Sequence, residues 1–199
     1  HDETDMEYFA DASLRTVDAL GVKTFDLWGS MTGAHCAIEM AIAQPARVRR
    51  LYVEMLLDYD EETEKALQQG HAPKIMLDQI GSQFNMLWHL ARDQHLFFPW
   101  FTRDAAHARK GGLPSANQLH EKTVELLKAC RTYHTALNAA LHHKSGERIA
   151  KVTVPVIGPE WFQNYLPSAT ARGDFCVGPS TSPAAQIDKS AAEILRHLG

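Results

Sequence analysis

Gly29-Ser-Met-Thr-Gly33 sets two turn-forming glycines around a side chain that could sit at a reacting centre. That side chain is Met31. A thioether has no proton to lose, so no base can activate it as a nucleophile. Ser30 carries a hydroxyl one place earlier. His35 follows Met31 by four residues, one helical turn, and could approach it. A histidine at the edge of a packed core is the plainer reading, and Cys36 beside it reads as packing. Cys130 and His134 have metal-ligand spacing, but two ligands without a third or fourth nearby do not make a zinc site, so no metal is expected. His89, Asp93 and His95 could contact a substrate, with Trp88, Trp100 and Phe101 lining its pocket. Helix–helix packing accounts for those aromatics equally well. His142-His143 reads as a solvated helix end, and the acidic run 58–64 as a solvated loop and helix start.

The elements around these residues can be read from capping and periodicity. Thr4-Asp-Met-Glu7 has the form of a capping box ahead of an amphipathic helix that Gly21 stops. Residues 22–28 read as a short strand, 34–43 as an apolar helix covered on most sides, and 48–57 as a second buried strand. Strand, turn, helix and strand in that order favour parallel pairing. Helical stretches follow over 75–93 and up to Lys110. A second capping box, Ser115-Ala-Asn-Gln118, starts a long run through Leu141. About ninety helical residues between strands are too many for a crossover and suit a lid. Strand signals return at 151–157 and 174–177, and a last helix begins at Ser182 with Pro183 in its first position.

Composition excludes several classes. The chain has 199 residues, 45% hydrophobic and 22% charged, which suits a globular domain, or one with a large insertion. A formal charge of −4 leaves no basic excess for phosphates, so nucleic acid is not expected as a partner. No apolar run approaches the roughly 18 residues of a membrane span, and no basic-then-apolar leader opens the chain. Three distant cysteines suit a reducing cytoplasm better than a disulfide framework.

The segment Asp26-Leu-Trp-Gly-Ser-Met-Thr-Gly-Ala34 resembles the nucleophile elbow of the α/β-hydrolase fold, and the order of elements resembles that family over essentially the whole chain. The resemblance implies an α/β fold with a mostly parallel sheet and an inserted helical lid. Residues 1–58 and 149–199 would form the hydrolase core, and 59–148 the lid. It puts Met31 at the nucleophile position and makes the Thr32 N–H an oxyanion donor. Glu54 or Asp58 would be the acid if it comes from the strand after the elbow, and Glu160 if it follows the strand at 151–157. The general base belongs in the loop 178–183, which has no histidine. Trp28, Ser30, Trp88, His89 and Trp100 would line the substrate. The implied activity is hydrolysis, or a related lyase step, on a small carbonyl-containing molecule without a cofactor; the alternative is a degenerate homologue that binds a ligand without turnover. A small-molecule ligand is the expected partner, with homo-oligomerisation left open.

The family's sheet usually has eight strands, and those matching here are the last four. The strand at 22–28, central in the family, would then have an unpaired apolar edge, a costly arrangement. We therefore expect roughly 60–90 further residues before His1. Short missing stretches are expected near Gly158-Pro159 and near Gly173 or Gly178.

Overall fold

The computed structural model describes residues 4–56, 59–158, 171–172, 191–192 and 195–196. Helix α1 (Met6–Ala19) starts one residue from the expected cap. Asp5, not Thr4, is the N-cap, and its side chain accepts the Tyr8 N–H at 2.8 Å. A carboxylate suits the positive end of the helix better than a hydroxyl does. Gly21, at φ 70°, ends the helix as expected. Strand β1 (Phe25–Gly29) leads through a tight turn into α2 (Thr32–Ala43), and β2 (Val48–Val53) follows. The insertion carries α3 (Glu61–Gly70), α4 (Ser82–Asp93), α5 (Ala116–Ala129) and α6 (Tyr133–His142). Then come α7 (Ser145–Ile149), β3 (Val156–Gly158) and β4 (Ala171–Arg172).

Among the described residues the strands form one parallel sheet in the order β1-β2-β3-β4. Leu27 stands opposite Leu51, and Leu51 in turn opposite Val156. Helix α2 is buried along most of its length, as its apolar run implies, with Ala34, Ile38 and Ala41 in one core with Leu51, Val53 and Val156. On another side, Met40 packs against Ala10 and Leu14 of α1.

Several expected extents are shorter. The helix expected over 75–93 begins only at Ser82, after Gly81 at φ 78°. No helix forms between Phe101 and Lys110; a cis Phe98-Pro99 bond and a single bridge between Phe97 and Ala108 shape that stretch instead. The Ser115–Gln118 capping box forms with both of its bonds, but the run it starts breaks at Cys130. Cys130 therefore caps α5 while His134 lies in α6, so the pair does not share one helical face. The strand expected at 174–177, Cys176, the Ser182–Pro183 helix start, the 178–183 loop, Asp58, Glu160 and the junctions at Pro159, Gly173 and Gly178 lie outside the described residues.

The chain divides into two compact units, 1–58 with 142–199, and 59–141. The core of the second is built on Leu87, Leu90, Trp100 and Leu126. Trp100 is buried there, its indole N–H donating to the His71 carbonyl at 3.2 Å, and the Tyr133 hydroxyl donates to the same oxygen at 3.1 Å. Among the described residues, no helix is long and apolar enough to cross a membrane.

Candidate functional site

The turn between β1 and α2 has Met31 at its apex, at φ 51° and ψ −125°, the one positive-φ residue other than glycine among the described residues. Such a backbone costs a non-glycine residue about 1–3 kcal/mol, so the surroundings must hold it. They do so with four bonds. The Met31 N–H donates to the Met55 carbonyl at 3.0 Å and the Glu54 N–H to the Gly29 carbonyl at 2.9 Å, tying the turn to the end of β2. The Gly33 N–H donates to the Ser30 carbonyl, and the Ala34 N–H to the Met31 carbonyl, both at 2.9 Å. The two glycines turn out unequal. A Cβ on Gly29 would lie 2.5 Å from the Gly33 carbonyl oxygen and 2.6 Å from the Ala34 Cα, whereas one on Gly33 would meet nothing within 4 Å. Strand and helix therefore touch at Gly29, and Gly33 stands clear.

The apex is open. Met31 is 42% exposed, Trp28 is exposed, Ser30 and Thr32 are half-buried, and Glu54 is buried beside the turn. Thr32 is the first residue of α2, where an N–H has no partner inside its own helix. Neither of two surface grooves contains Met31. One, of about 430 Å³, lies at the start of β1 between Asp18, Lys23 and Arg47; the other, of about 290 Å³, lies in the second unit beside Phe98 and Phe101.

Behind the turn runs a buried polar chain that the sequence reading missed. His35, fully buried, has Nδ1 3.0 Å from Nδ1 of His143. His143 Nε2 lies 2.7 Å from Glu39 Oε1. Arg148 grips Glu39 in a fork, Nε to Oε1 at 2.6 Å and Nη2 to Oε2, and Nη2 also reaches Glu7 of α1 at 3.1 Å. An ionised carboxylate only accepts, so His143 donates from Nε2; with both rings neutral, His143 Nδ1 accepts and His35 Nδ1 donates. Burial pushes the Glu39 carboxyl up, but hydrogen bonds from His143 and Arg148 outweigh it and hold the group at about 2. Burial, then the neighbouring His143, push His35 down to about 3. His143 is thus a buried link and not a solvated helix end; only His142 is exposed. Glu64, in the run read as solvated, is also buried, and the Gln68 amide donates to it at 3.0 Å. One signal was available for Glu39. It is the single acid in the apolar stretch 34–43, four residues after His35.

In the second unit, the Asp93 carboxylate is fully buried, with Arg92 Nε at 2.7 Å, Arg103 Nε at 2.9 Å and His89 Nδ1 at 3.8 Å. Trp88 is partly exposed on the same helix. Among the described residues, no group of three or more His, Cys, Asp or Glu side chains could hold a metal ion.

No protein-family model matches the chain, and no curated protein matches it. Solved structures do. A hydrolase from Pseudomonas aeruginosa PA01 superposes with a TM-score of 0.60 at 14% identity, over 99% of this chain and 73% of that one. A thermophilic esterase from Thermogutta terrifontis gives 0.61 at 13%, over 98% and 73%. The epoxide hydrolase CorEH gives 0.58 at 13%, over 97% and 75%. The class follows from this likeness and from the parallel sheet with its flanking helices: the chain has the α/β-hydrolase fold.

Proposed function

We propose that this protein acts on a small carbonyl-containing molecule, by ester, amide or C–C bond hydrolysis or a related lyase step, bound over the Met31 turn. The observation that carries the reading is the Met31 backbone, a strained conformation kept between strand and helix where this fold places its nucleophile. The Thr32 N–H is assigned to the developing oxyanion, because an unpaired N–H at a helix start faces negative charge at no reorganisation cost. Glu54 is the acid that the reading assigns beside the turn. Met31 itself forms no covalent intermediate, so water is the attacking group. Trp28 and Ser30, by the turn, are assigned to the substrate.

The second reading is a homologue that binds its ligand without turnover. It is favoured by the thioether at position 31 and by the lack of histidine in 178–183. Hydrolysis of p-nitrophenyl acetate and longer acyl esters separates the two, measured on the parent and on Met31→Ser and Met31→Asp. Parental turnover, raised by either substitution, supports the first reading. No turnover in any of the three, together with retained binding of an unhydrolysable ester analogue, establishes the second.

A further inference from the structure

The groove beside Phe98 and Phe101 lies wholly within the unit 59–141 and has no part in the reading above. Its volume of about 290 Å³ is at the small end of ligand sites, which suits a headgroup and not an extended molecule. Three aromatic side chains line it: Tyr59 ahead of α3, and Phe98 and Phe101 from the segment after α4. Leu67 of α3 adds an aliphatic wall. Among these apolar groups stands one carboxylate, Glu62. No Lys or Arg side chain is among the described residues that line the groove.

The rings are held by contacts with their own unit. Phe98 packs against His71, with ring centroids 5.8 Å apart, and Phe101 stands edge-on to the buried Trp100 at 6.1 Å. Phe98 nonetheless stays 45% exposed, so ring surface is left for a ligand. The local charge is negative. Helix α3 brings its positive end here, but the Asp60 side chain already accepts the Thr63 N–H at 2.8 Å, and Glu61, Glu62 and Glu64 fill the first turn. Arg103, which follows Thr102 at the groove, is paired elsewhere, its Nε 2.9 Å from the buried Asp93. Burial pushes the His71 ring down, which keeps it uncharged behind Phe98.

We propose that this groove binds a small molecule bearing a quaternary ammonium group. A cation is attracted to the negative face of an aromatic ring, the more so where water is excluded. A primary ammonium is strongly hydrated and has three N–H donors to satisfy, whereas the groove sets a single carboxylate among rings. A quaternary nitrogen has no N–H. Its methyl groups carry the charge onto the rings and bury apolar surface in the same contact. Glu62 supplies the counter-charge from the exposed side. The site needs no reacting group, so it stands independently of the chemistry assigned to the Met31 turn.

Choline is the probe, titrated into the full chain and followed by NMR of the aromatic ring protons. The comparisons are ethanolamine and the neutral isostere of choline in which a tert-butyl group replaces trimethylammonium. Saturable choline binding is expected, about 3- to 30-fold tighter than either comparison. Phe98→Leu keeps an apolar wall but removes the ring, and should weaken choline about 3- to 30-fold while leaving the neutral isostere unchanged. Glu62→Gln should weaken choline about 2- to 5-fold. Both residues are exposed, so each variant should melt with the parent. No saturable choline binding overturns the proposal, as does an isostere or an ethanolamine that binds as tightly, or a Phe98→Leu variant that binds choline like the parent. Co-sedimentation with phosphatidylcholine vesicles that is lost in Phe98→Leu would place the group in a lipid and overturn the small-molecule source; none is expected.

Discussion

His143 Nε2 sits 2.7 Å from Glu39 Oε1 although 104 residues separate them, and that contact ties the far end of the insertion to the helix behind the Met31 turn. The pair is completed by the Arg148 fork, and the Arg148 guanidinium joins α7 to Glu39 of α2 and Glu7 of α1.

Removing that carboxylate leaves the buried His143 Nε2 without its acceptor and the partly buried Arg148 with Glu7 as its remaining counter-charge. Breaking a buried ion pair from one side costs about 3–5 kcal/mol. Glu39→Ala should lose that amount in urea denaturation. The Arg148→Met change should cost less, because Glu39 keeps His143.

The same chain makes stability depend on acid. Glu39 titrates at about 2 when folded, below the ordinary value of about 4.3. The unfolded chain thus takes up that proton first, and stability present above about pH 4 is lost on the way down to 2. His35 is neutral in the fold down to about 3 but takes a proton near 6.5 when unfolded. Stability should therefore begin to erode below about pH 6.5 and continue to about 3. Urea midpoints measured stepwise from pH 7 to 4.5 should fall in the parent and fall less in His35→Gln, where His71 and His95, also pushed down by burial, still contribute.

The two glycines of the turn should respond oppositely to alanine. At Gly29 the new Cβ would meet backbone atoms that cannot move aside, and a loss of about 2–3 kcal/mol or more is expected. At Gly33 the Cβ meets open space in the first turn of α2, where alanine is the better helix former. Gly33→Ala should be neutral or stabilising by up to about 1 kcal/mol. Thermal denaturation of both variants decides it.

The His71 carbonyl accepts from both Trp100 and Tyr133. Trp100→Phe or Tyr133→Phe alone leaves that oxygen with one donor and should cost about 0.5–1.5 kcal/mol for the lost bond. The double variant leaves it with neither, so its loss should exceed the sum of the two by about 1 kcal/mol in a double-mutant cycle.

Sequence alone determined what depends on neighbours within a few residues. The strand–turn–helix–strand order over residues 25–53, the Ser115–Gln118 box, the stop at Gly21 and the turn centred on Met31 are all local, set by capping, apolar spacing and glycine backbone freedom. The family likeness was legible for the same reason, since element order is itself a sequence property. Tertiary structure decided the rest. Whether Gly29 or Gly33 is indispensable depends on which one the helix backbone approaches, and nothing in the glycine pair itself says so. Whether His143 meets water or a carboxylate depends on where α2 lies, a matter of packing between residues 104 positions apart. Burial turns such polar residues from solvated side chains into partners. Burial is a property of the assembled fold, so a sequence read locally cannot assign it.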